Sequence, residues 1–180
     1  MLTKRIHAGV RPPRLSRLAG TPKAAGSAQT GMRALVTGSS GHLGEALVRT
    51  LRAQGADVVG LDFRPSPYTD VIGSVNDPDL IREVMGGAEV VFHTAALHKP
   101  QLAFLPGRVF VDTNISGTHT VLDEAVAAKV RAFVMTSSTT VYGDALIPPP
   151  GRPAAWIDES VTPIPKNIYG VTKVGAEDLC

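Results

Sequence analysis

Short apolar runs alternate with longer amphipathic segments from residue 32 to the end of the chain. The runs predict about four strands, at residues 33–37, 56–62, 90–92 and 131–136. A proline-containing loop leads from the second strand through residues 71–73 to the next helix. The fourth run is apolar on both faces, which is typical of a covered parallel strand. Strands alternating with helices predict the α/β fold class, with right-handed crossovers and a doubly wound parallel sheet.

Four amphipathic segments predict helices. The first covers residues 42–54, the second follows Asp77, the third lies within residues 104–128, and the fourth begins near Tyr169. Asp77 can cap the second helix, and Pro78 suits its first turn. The core-facing residues predicted for the first and third helices are Leu43, Ala46, Leu47, Leu51, Leu122, Ala125 and Val126.

Charge is distributed unevenly along the chain. Residues 1–31 carry six lysines and arginines and no acidic residue, whereas the remainder has 12 basic and 16 acidic residues, a net charge of −4. The sequence pI of about 8.9 therefore belongs to the tail and does not indicate a nucleic-acid-binding surface. Residues 1–31 are predicted to be a disordered basic tail. It is either an extension from a start codon assigned too early, with Met32 the true start, or a transit-like segment.

Composition excludes several further classes of protein and of site. No apolar run reaches the ~18 residues that span a bilayer, so no membrane partner is predicted. Cys180 is the single cysteine, which excludes an internal disulfide and fits a reducing compartment, and a cytoplasmic location is expected. The five histidines show no paired ligand spacing, so no metal site is predicted.

A glycine-rich motif directly follows the first predicted strand. Residues 37–44 have the sequence TGSSGHLG, with G-x-x-G-x-x-G spacing ahead of a helix. Gly38 permits the sharp turn, Gly41 removes a Cβ that would block phosphates, and Gly44 lets the helix lie close on the sheet. With the free N–H groups of the helix N-terminus, the motif predicts a cradle for a dinucleotide pyrophosphate. The other predicted cradle contacts are Ser40, His42 and Leu43.

A carboxylate ends the second predicted strand. Asp62 lies 24 residues after Gly38, near the ~20-residue offset at which an acidic side chain accepts hydrogen bonds from the adenosine ribose. A carboxylate there repels a 2′-phosphate and favours NAD as the cofactor. Arg64 leaves NADP as an alternative cofactor, because a guanidinium can pair with that phosphate.

A second motif, Tyr-Gly-Val-Thr-Lys at residues 169–173, opens the last predicted helix. Residues i and i+4 share a helix face, so Lys173 is predicted to project beside Tyr169. A phenol with a pKa of about 10 is a poor base at neutral pH, and a neighbouring ammonium favours the phenolate. Ser138, at the end of the fourth strand, can hydrogen-bond the substrate oxygen. This trio predicts hydride transfer at a carbinol, with Tyr169 moving the O–H proton.

The order of these motifs resembles that of the extended short-chain dehydrogenase/reductases. Residues 32–180 are similar to the N-terminal part of the NAD-dependent epimerase/dehydratase family, typified by UDP-glucose 4-epimerase. The resemblance includes HTAA at residues 93–96, NISGT at 114–118 and TSSTTVYGD at 136–144. It implies a Rossmann-type NAD(P)-binding domain at residues 32–180, truncated before a smaller C-terminal substrate domain.

The resemblance also implies roles for individual residues. The implied catalytic residues are Ser138, Tyr169 and Lys173, of which Tyr169 and Lys173 also contact the cofactor. The further implied cofactor contacts are Thr94, Ala95, Ala96, Asn114, Ser74 and Val75. The last two take the adenine position, where the family usually has an Asp and an aliphatic residue.

The activity implied by the resemblance is that of an NAD(P)-dependent epimerase-type oxidoreductase or isomerase. Its substrate would be a nucleotide sugar or a related carbinol, and the parent enzyme would be a homodimer. Sugar-nucleotide 4,6-dehydratases carry an Asp-Glu pair where this chain has Thr139 and Thr140, which argues against 4,6-dehydration. Two alternatives stay open: a dehydrogenase or reductase of the same family with net redox turnover, and a non-catalytic dinucleotide-binding module.

Overall fold

The computed structural model describes residues 31–180, so residues 1–30 of the predicted tail lie outside the described residues. One five-stranded sheet has the order β3-β2-β1-β4-β5, and every neighbouring pair is parallel. The strands are β1 (Arg33–Thr37), β2 (Asp57–Asp62), β3 (Val71–Ile72), β4 (Val90–His93) and β5 (Ala132–Met135). Because the strand order moves outward from β1 in both directions, the predicted doubly wound parallel sheet is confirmed.

Helices lie between these strands and after the last of them. They are α1 (His42–Ala53), α2 (Pro78–Met85), α3 (Gly107–Phe110), α4 (Gly117–Ala127) and α5 (Ile168–Leu179). A π-helical segment, Val111–Ser116, joins α3 directly to α4. Asp77 caps α2 as predicted, since its Oδ1 accepts a hydrogen bond from the Leu80 N–H at 3.2 Å. No helix within residues 31–180 is both long and apolar enough to cross a membrane.

Two apolar layers cover opposite faces of the sheet. On one face, Leu35 of β1 packs in a cluster with Val91 of β4 and Val121 of α4. On the other face, Val36 of β1 packs against Val48 of α1. Successive residues of the central strand therefore pack into opposite layers, as expected where helices lie on both faces of a sheet.

The buried faces of two helices differ from the predicted ones. Leu43 and Ala46 of α1 are exposed, and Gly44 and Val48 are buried instead, because α1 approaches the glycine loop through the face that carries Gly44. In α4, the side chain predicted to be buried at Val126 is 72% exposed. The buried residues of α4 include Val121 and Ala125, and of these only Ala125 was predicted to face the core.

Two strand predictions also need correction. The strand β3 is only two residues long, too short to give a periodic signal, and a loop was predicted there. The strand β5 is an edge of the described sheet rather than a covered strand. Its Val134 is 48% exposed, so apolar residues on both faces of β5 do not reflect cover on both sides within residues 31–180.

Candidate active site

The loop between β1 and α1 turns sharply at the carboxyl end of the sheet. Gly38 has a φ of +77°, in the left-handed region that glycine adopts freely. A Cβ added to Gly38 would lie 2.7 Å from the amide nitrogen of Ala95, which follows β4. A Cβ on Gly44 would collide with the carbonyl oxygen of Gly38, so α1 needs glycine to start this close to the loop.

Polar groups at the start of α1 fit an anionic ligand. Gly41, the N-cap of α1, supplies no capping side chain. Within the part of the chain that the structure describes, the Ser40 hydroxyl oxygen is buried without a hydrogen-bond partner. A buried hydroxyl group and uncapped backbone N–H groups at a helix N-terminus are suitable donors to phosphate oxygens. The residues of this loop therefore fit the diphosphate of a dinucleotide.

The Asp62 carboxylate is fixed beside the same loop. Its Oδ2 accepts a hydrogen bond from the Ser40 N–H at 3.1 Å, and its Oδ1 accepts one from the Arg64 N–H at 2.9 Å. The Arg64 guanidinium carbon lies 5.1 Å from the centroid of the Phe63 ring. Backbone N–H groups thus hold the Asp62 carboxylate at the cavity wall, and its contact with a ribose stays a prediction.

A cavity of about 670 Å³ lies at the carboxyl ends of β1, β2 and β4, within the roughly 300–1,000 Å³ typical of small-molecule sites. It brings together many of the predicted cofactor residues, namely Gly38, Gly41, His42, Asp62, Ser74, Val75, Thr94, Ala95 and Ala96. Its wall also includes His98 and Gln101, which sequence reasoning missed. Both follow the predicted segment 94–96 closely, so extending that segment along the chain would have found them.

Other predicted cofactor residues lie outside the cavity wall. The side chain of Leu43 is exposed, and Gly44 is buried beneath the loop. Asn114 is buried, and its Oδ1 accepts a hydrogen bond from the Leu97 N–H at 2.8 Å. Its Nδ2 donates to the Leu97 carbonyl at 3.1 Å and to Thr172 Oγ1 at 3.0 Å. Asn114 therefore positions the segment that lines the cavity, and its direct contact with a cofactor stays a prediction.

The predicted Tyr169–Lys173 pair lies in the first half of α5, with both residues buried. The Tyr169 phenol oxygen lies 3.3 Å from Nδ1 of His98, and His98 lines the cavity. Among the described residues that line the cavity, Tyr169, Lys173 and Ser138 are absent. Lys173 is 3% exposed, and its Nζ donates a hydrogen bond to the Thr136 carbonyl at 2.7 Å. Burial lowers the pKa of Lys173, and the charge of Glu177 opposes that shift.

Ser138 lies just after β5, in a turn on which α5 packs. Its Oγ donates a hydrogen bond to Thr140 Oγ1 at 3.1 Å and accepts one from the Thr140 N–H at 3.2 Å. Within residues 31–180, no hydrogen bond joins Ser138 to Tyr169 or Lys173. The structure thus brings the Ser138 turn to the helix that carries the pair, and the catalytic role of all three residues stays a prediction.

A buried chain of hydrogen bonds extends from β1 towards α5. His93 is 1% exposed, with its Nδ1 2.8 Å from Thr37 Oγ1 and its Nε2 3.0 Å from Thr118 Oγ1. Thr118 donates its hydroxyl proton to the Asn114 carbonyl at 2.7 Å, so it accepts a hydrogen bond from His93. That assigns the imidazole proton to Nε2 and leaves Nδ1 to accept from Thr37. Through Asn114 the chain of hydrogen bonds reaches α5.

This environment makes His93 a determinant of acid stability. Burial, together with the charge of Lys173, lowers the pKa of His93 to about 3. The imidazole of the unfolded chain has a pKa of about 6.5, so between these values the unfolded state binds the additional proton and acidification favours unfolding. We expect His93 to reduce the free energy of unfolding by about 2 kcal/mol between pH 7 and pH 5, as measured by urea titration.

The His93→Gln variant provides the comparison for this prediction. It removes the titrating group, so the difference in unfolding free energy between pH 7 and pH 5 should shrink by about 2 kcal/mol, whatever the stability of the variant at pH 7. His119→Gln, at an exposed position on α4, is the matched control for loss of an imidazole. If the unfolding free energy of His93→Gln depended on pH as that of the wild type does, His93 would not be the group responsible for the acid sensitivity.

The whole described region resembles known proteins. Residues 34–180 match the sequence model of the NAD dependent epimerase/dehydratase family. The chain is 34% identical over 154 residues to L-arabinose 1-dehydrogenase (NAD(P)(+)) of Haloferax volcanii, a match that covers 82% of this chain and 59% of that protein.

The similarity to solved structures agrees with the similarity in sequence. A short-chain dehydrogenase/reductase superfamily protein from Agrobacterium tumefaciens with bound NAD has a TM-score of 0.70 and 35% identity, covering 82% of this chain and 43% of that one. A UDP-galactose 4-epimerase has a TM-score of 0.71 and 32% identity, covering 83% and 50%. The chain therefore spans about half the length of the proteins that it matches.

Proposed function

The chain belongs to the NAD dependent epimerase/dehydratase family, and from this premise we propose that it binds NAD and promotes hydride transfer at a sugar carbinol. The observation that carries the proposal is a single cavity whose wall includes the glycine loop, Asp62 and His98. Its wall at His98 contacts the Tyr169 phenol. A glycine loop suited to a dinucleotide and a tyrosine suited to proton transfer are therefore linked through one residue of the cavity wall, which supports the proposed chemistry.

The residues present suit each part of the cofactor. The glycine loop would hold the diphosphate, Asp62 the adenosine ribose, and Ser74 and Val75 the adenine. Lys173 would hold the nicotinamide ribose. Bound NAD supplies the hydride acceptor.

The chain's own residues would handle the substrate proton. Tyr169 would accept the hydroxyl proton of the substrate, and the ammonium of Lys173 lies one helical turn further along the same helix. The hydrogen bond from Lys173 to the Thr136 carbonyl fixes that ammonium at the end of β5. Ser138 lies just beyond the same strand end and would orient the substrate oxygen. Proton transfer of this kind contributes roughly 10²- to 10⁴-fold to a rate.

The leading substrate class is a nucleotide sugar, epimerised through a transient ketone. Similarity to a UDP-galactose 4-epimerase supports this choice. Similarity to L-arabinose 1-dehydrogenase supports the second candidate, a sugar dehydrogenase with net redox turnover. Residues 32–180 would form the cofactor domain of either enzyme, a homodimer in the cytoplasm, and a non-catalytic dinucleotide-binding module is the third candidate.

One experiment separates these candidates. Calorimetry measures NAD binding by the chain, and NMR then follows UDP-glucose or L-arabinose incubated with chain and NAD. Formation of UDP-galactose without accumulation of NADH supports the epimerase, and stoichiometric NADH supports the dehydrogenase. Binding of NAD without either product supports the binding module, and failure to bind NAD contradicts the proposal as a whole.

Cofactor choice is tested at Asp62. Asp62→Asn preserves the size of the side chain and removes the charge that ribose hydroxyl groups would contact, so we expect NAD affinity to fall by about 10-fold or more. NADP should lose less affinity, because the repulsion of its 2′-phosphate is also removed. Calorimetric titration of both dinucleotides measures the two affinities.

The control for this variant is Asp57→Asn. Asp57 starts the same strand, at the end opposite the cavity, and is exposed. It should leave both affinities unchanged. An unaltered ratio of NAD to NADP affinity in Asp62→Asn would contradict the assignment of Asp62 to the ribose.

A further inference from the structure

His98 contacts the oxygen on which the proposed proton transfer takes place. Its Nδ1 lies 3.3 Å from the Tyr169 phenol oxygen, and the two ring centroids are 5.7 Å apart, with ring planes tilted by 52°. His98 also lines the cavity and is exposed to solvent, whereas Tyr169 is buried. The imidazole therefore lies between the buried phenol and the solvent.

Neighbouring contacts hold His98 in this place. Its backbone N–H donates a hydrogen bond to Gln101 Oε1 at 2.5 Å. The preceding residue, Leu97, is bound through both its N–H and its carbonyl by the buried Asn114. Leu97 also packs in one apolar cluster with Phe110 and Tyr169. The backbone that carries the imidazole is thus anchored to the π-helical segment, and its side chain lies against α5.

The surroundings of His98 keep its imidazole neutral. Burial, with a further contribution from the positive charge of Lys173, lowers the pKa of His98 below the ordinary histidine value of 6.5. The imidazole is therefore neutral at pH 7, with one ring nitrogen free to accept a proton. The Tyr169 phenol oxygen lies within hydrogen-bond reach of Nδ1, and in the tautomer with the proton on Nε2 the phenol O–H donates to Nδ1.

We propose, on the basis of the function proposed above, that His98 is a catalytic residue that takes the phenol proton of Tyr169 and releases it to solvent. In the oxidising direction, the carbinol C–H bond breaks and its hydride goes to the nicotinamide cofactor. The O–H proton goes to the phenolate oxygen of Tyr169, and the carbinol becomes a ketone or lactone. The proton then moves from Tyr169 to Nδ1 of His98, and the imidazolium loses one proton to water.

This route favours the dehydrogenase among the proposed activities. Net oxidation of a carbinol by NAD releases one proton in each turnover, which must leave the buried phenol. Epimerisation returns both the hydride and the proton to the substrate and needs no such exit. A solvent-exposed base on the phenol oxygen is thus what net redox turnover requires.

The contact is tested without turnover by ¹⁵N NMR of the histidine rings at pH 7. We expect an Nε2-protonated ring at His98, and a changed Nδ1 shift in Tyr169→Phe. In Lys173→Gln, the protonation midpoint of His98 should rise. His119, on α4, serves as the reference ring. A His98 spectrum that does not respond to Tyr169→Phe would overturn the proposal and leave the NAD-binding proposal intact.

Turnover is tested with His98→Ala, using NAD with UDP-glucose or L-arabinose. The turnover number for NADH formation should fall by at least about 10-fold, and NAD affinity should fall by a smaller factor. Added imidazole should restore part of the rate, which it would not do if His98 only supported the fold. His119→Ala should behave as the wild type.

Three outcomes would overturn the role of His98: full activity of His98→Ala, a loss that imidazole does not restore, or a wild type that binds NAD but forms no NADH from either probe. A wild type that does not bind NAD would instead overturn the function on which the proposal rests. Calorimetry on the same samples separates that case from the others.

Discussion

Tyr169→Phe is expected to lower turnover by about 10²- to 10⁴-fold, because it removes the group that exchanges a proton with the substrate hydroxyl. The ring remains to pack with Leu97 and Phe110, so the fold should persist. Loss of one hydrogen bond to the cofactor weakens NAD binding by less than about 10-fold. Steady-state rates with NAD and the sugar probe, together with calorimetry, measure both effects.

Tyr68→Phe provides the matched control. It deletes the same hydroxyl group from a tyrosine that packs in the α1 layer, on the other face of the sheet, with the Arg49 guanidinium 6.0 Å from its ring centroid. Turnover should be unaffected. If Tyr169→Phe retained the wild-type rate, Tyr169 would not be the proton-transfer group, and the proposed chemistry would need another residue.

Gly38→Ala is expected to give the second large effect, on both stability and NAD binding. A left-handed φ costs a side-chain-bearing residue about 1–2 kcal/mol. The new Cβ would also lie 2.7–2.8 Å from backbone atoms of Thr94 and Ala95, which can separate only if the loop moves away from β4. Together these costs should lower the free energy of unfolding by roughly 2–5 kcal/mol. A displaced loop should weaken NAD binding by at least about 100-fold.

Gly55→Ala separates the two costs. Gly55 has a φ of +86°, similar to that of Gly38, yet a Cβ there meets no described atom within 4 Å. The control should therefore lose only the conformational contribution of about 1–2 kcal/mol and keep its NAD affinity. Equal losses of stability in the two variants would contradict the close approach of the glycine loop to the segment after β4.

Local signals account for what the sequence could predict. Asp77 followed by Pro78 indicated the start of α2, because a cap and a first-turn proline act within one helical turn. The apolar run of β1 and the glycine motif after it placed the turn at Gly38 correctly. Fixed spacing on a helix likewise placed Tyr169 and Lys173 together on α5.

Long-range packing accounts for what the sequence could not predict. Val126 fits a helical pattern as well as Val121 does, and only the sheet and α2 decide which of them is buried. Val134 lies in a run typical of a covered strand, but β5 is an edge of the described sheet. His98 approaches Tyr169 across 71 residues of sequence, a contact that no local pattern encodes.

The π-helical segment Val111–Ser116 makes the site sensitive to chain length rather than to composition alone. An α-helix turns by about 100° for each residue, so deleting one residue from this segment would rotate α4 against α3 by that angle. After such a deletion, either the hydrogen bond between Thr118 and the His93 ring or the one between Asn114 and Leu97 could form, but not both. The extra residue in this wide turn sets the helical phase of α4 relative to α3. In that phase, one continuous helix contacts both the buried imidazole and the cavity-lining segment.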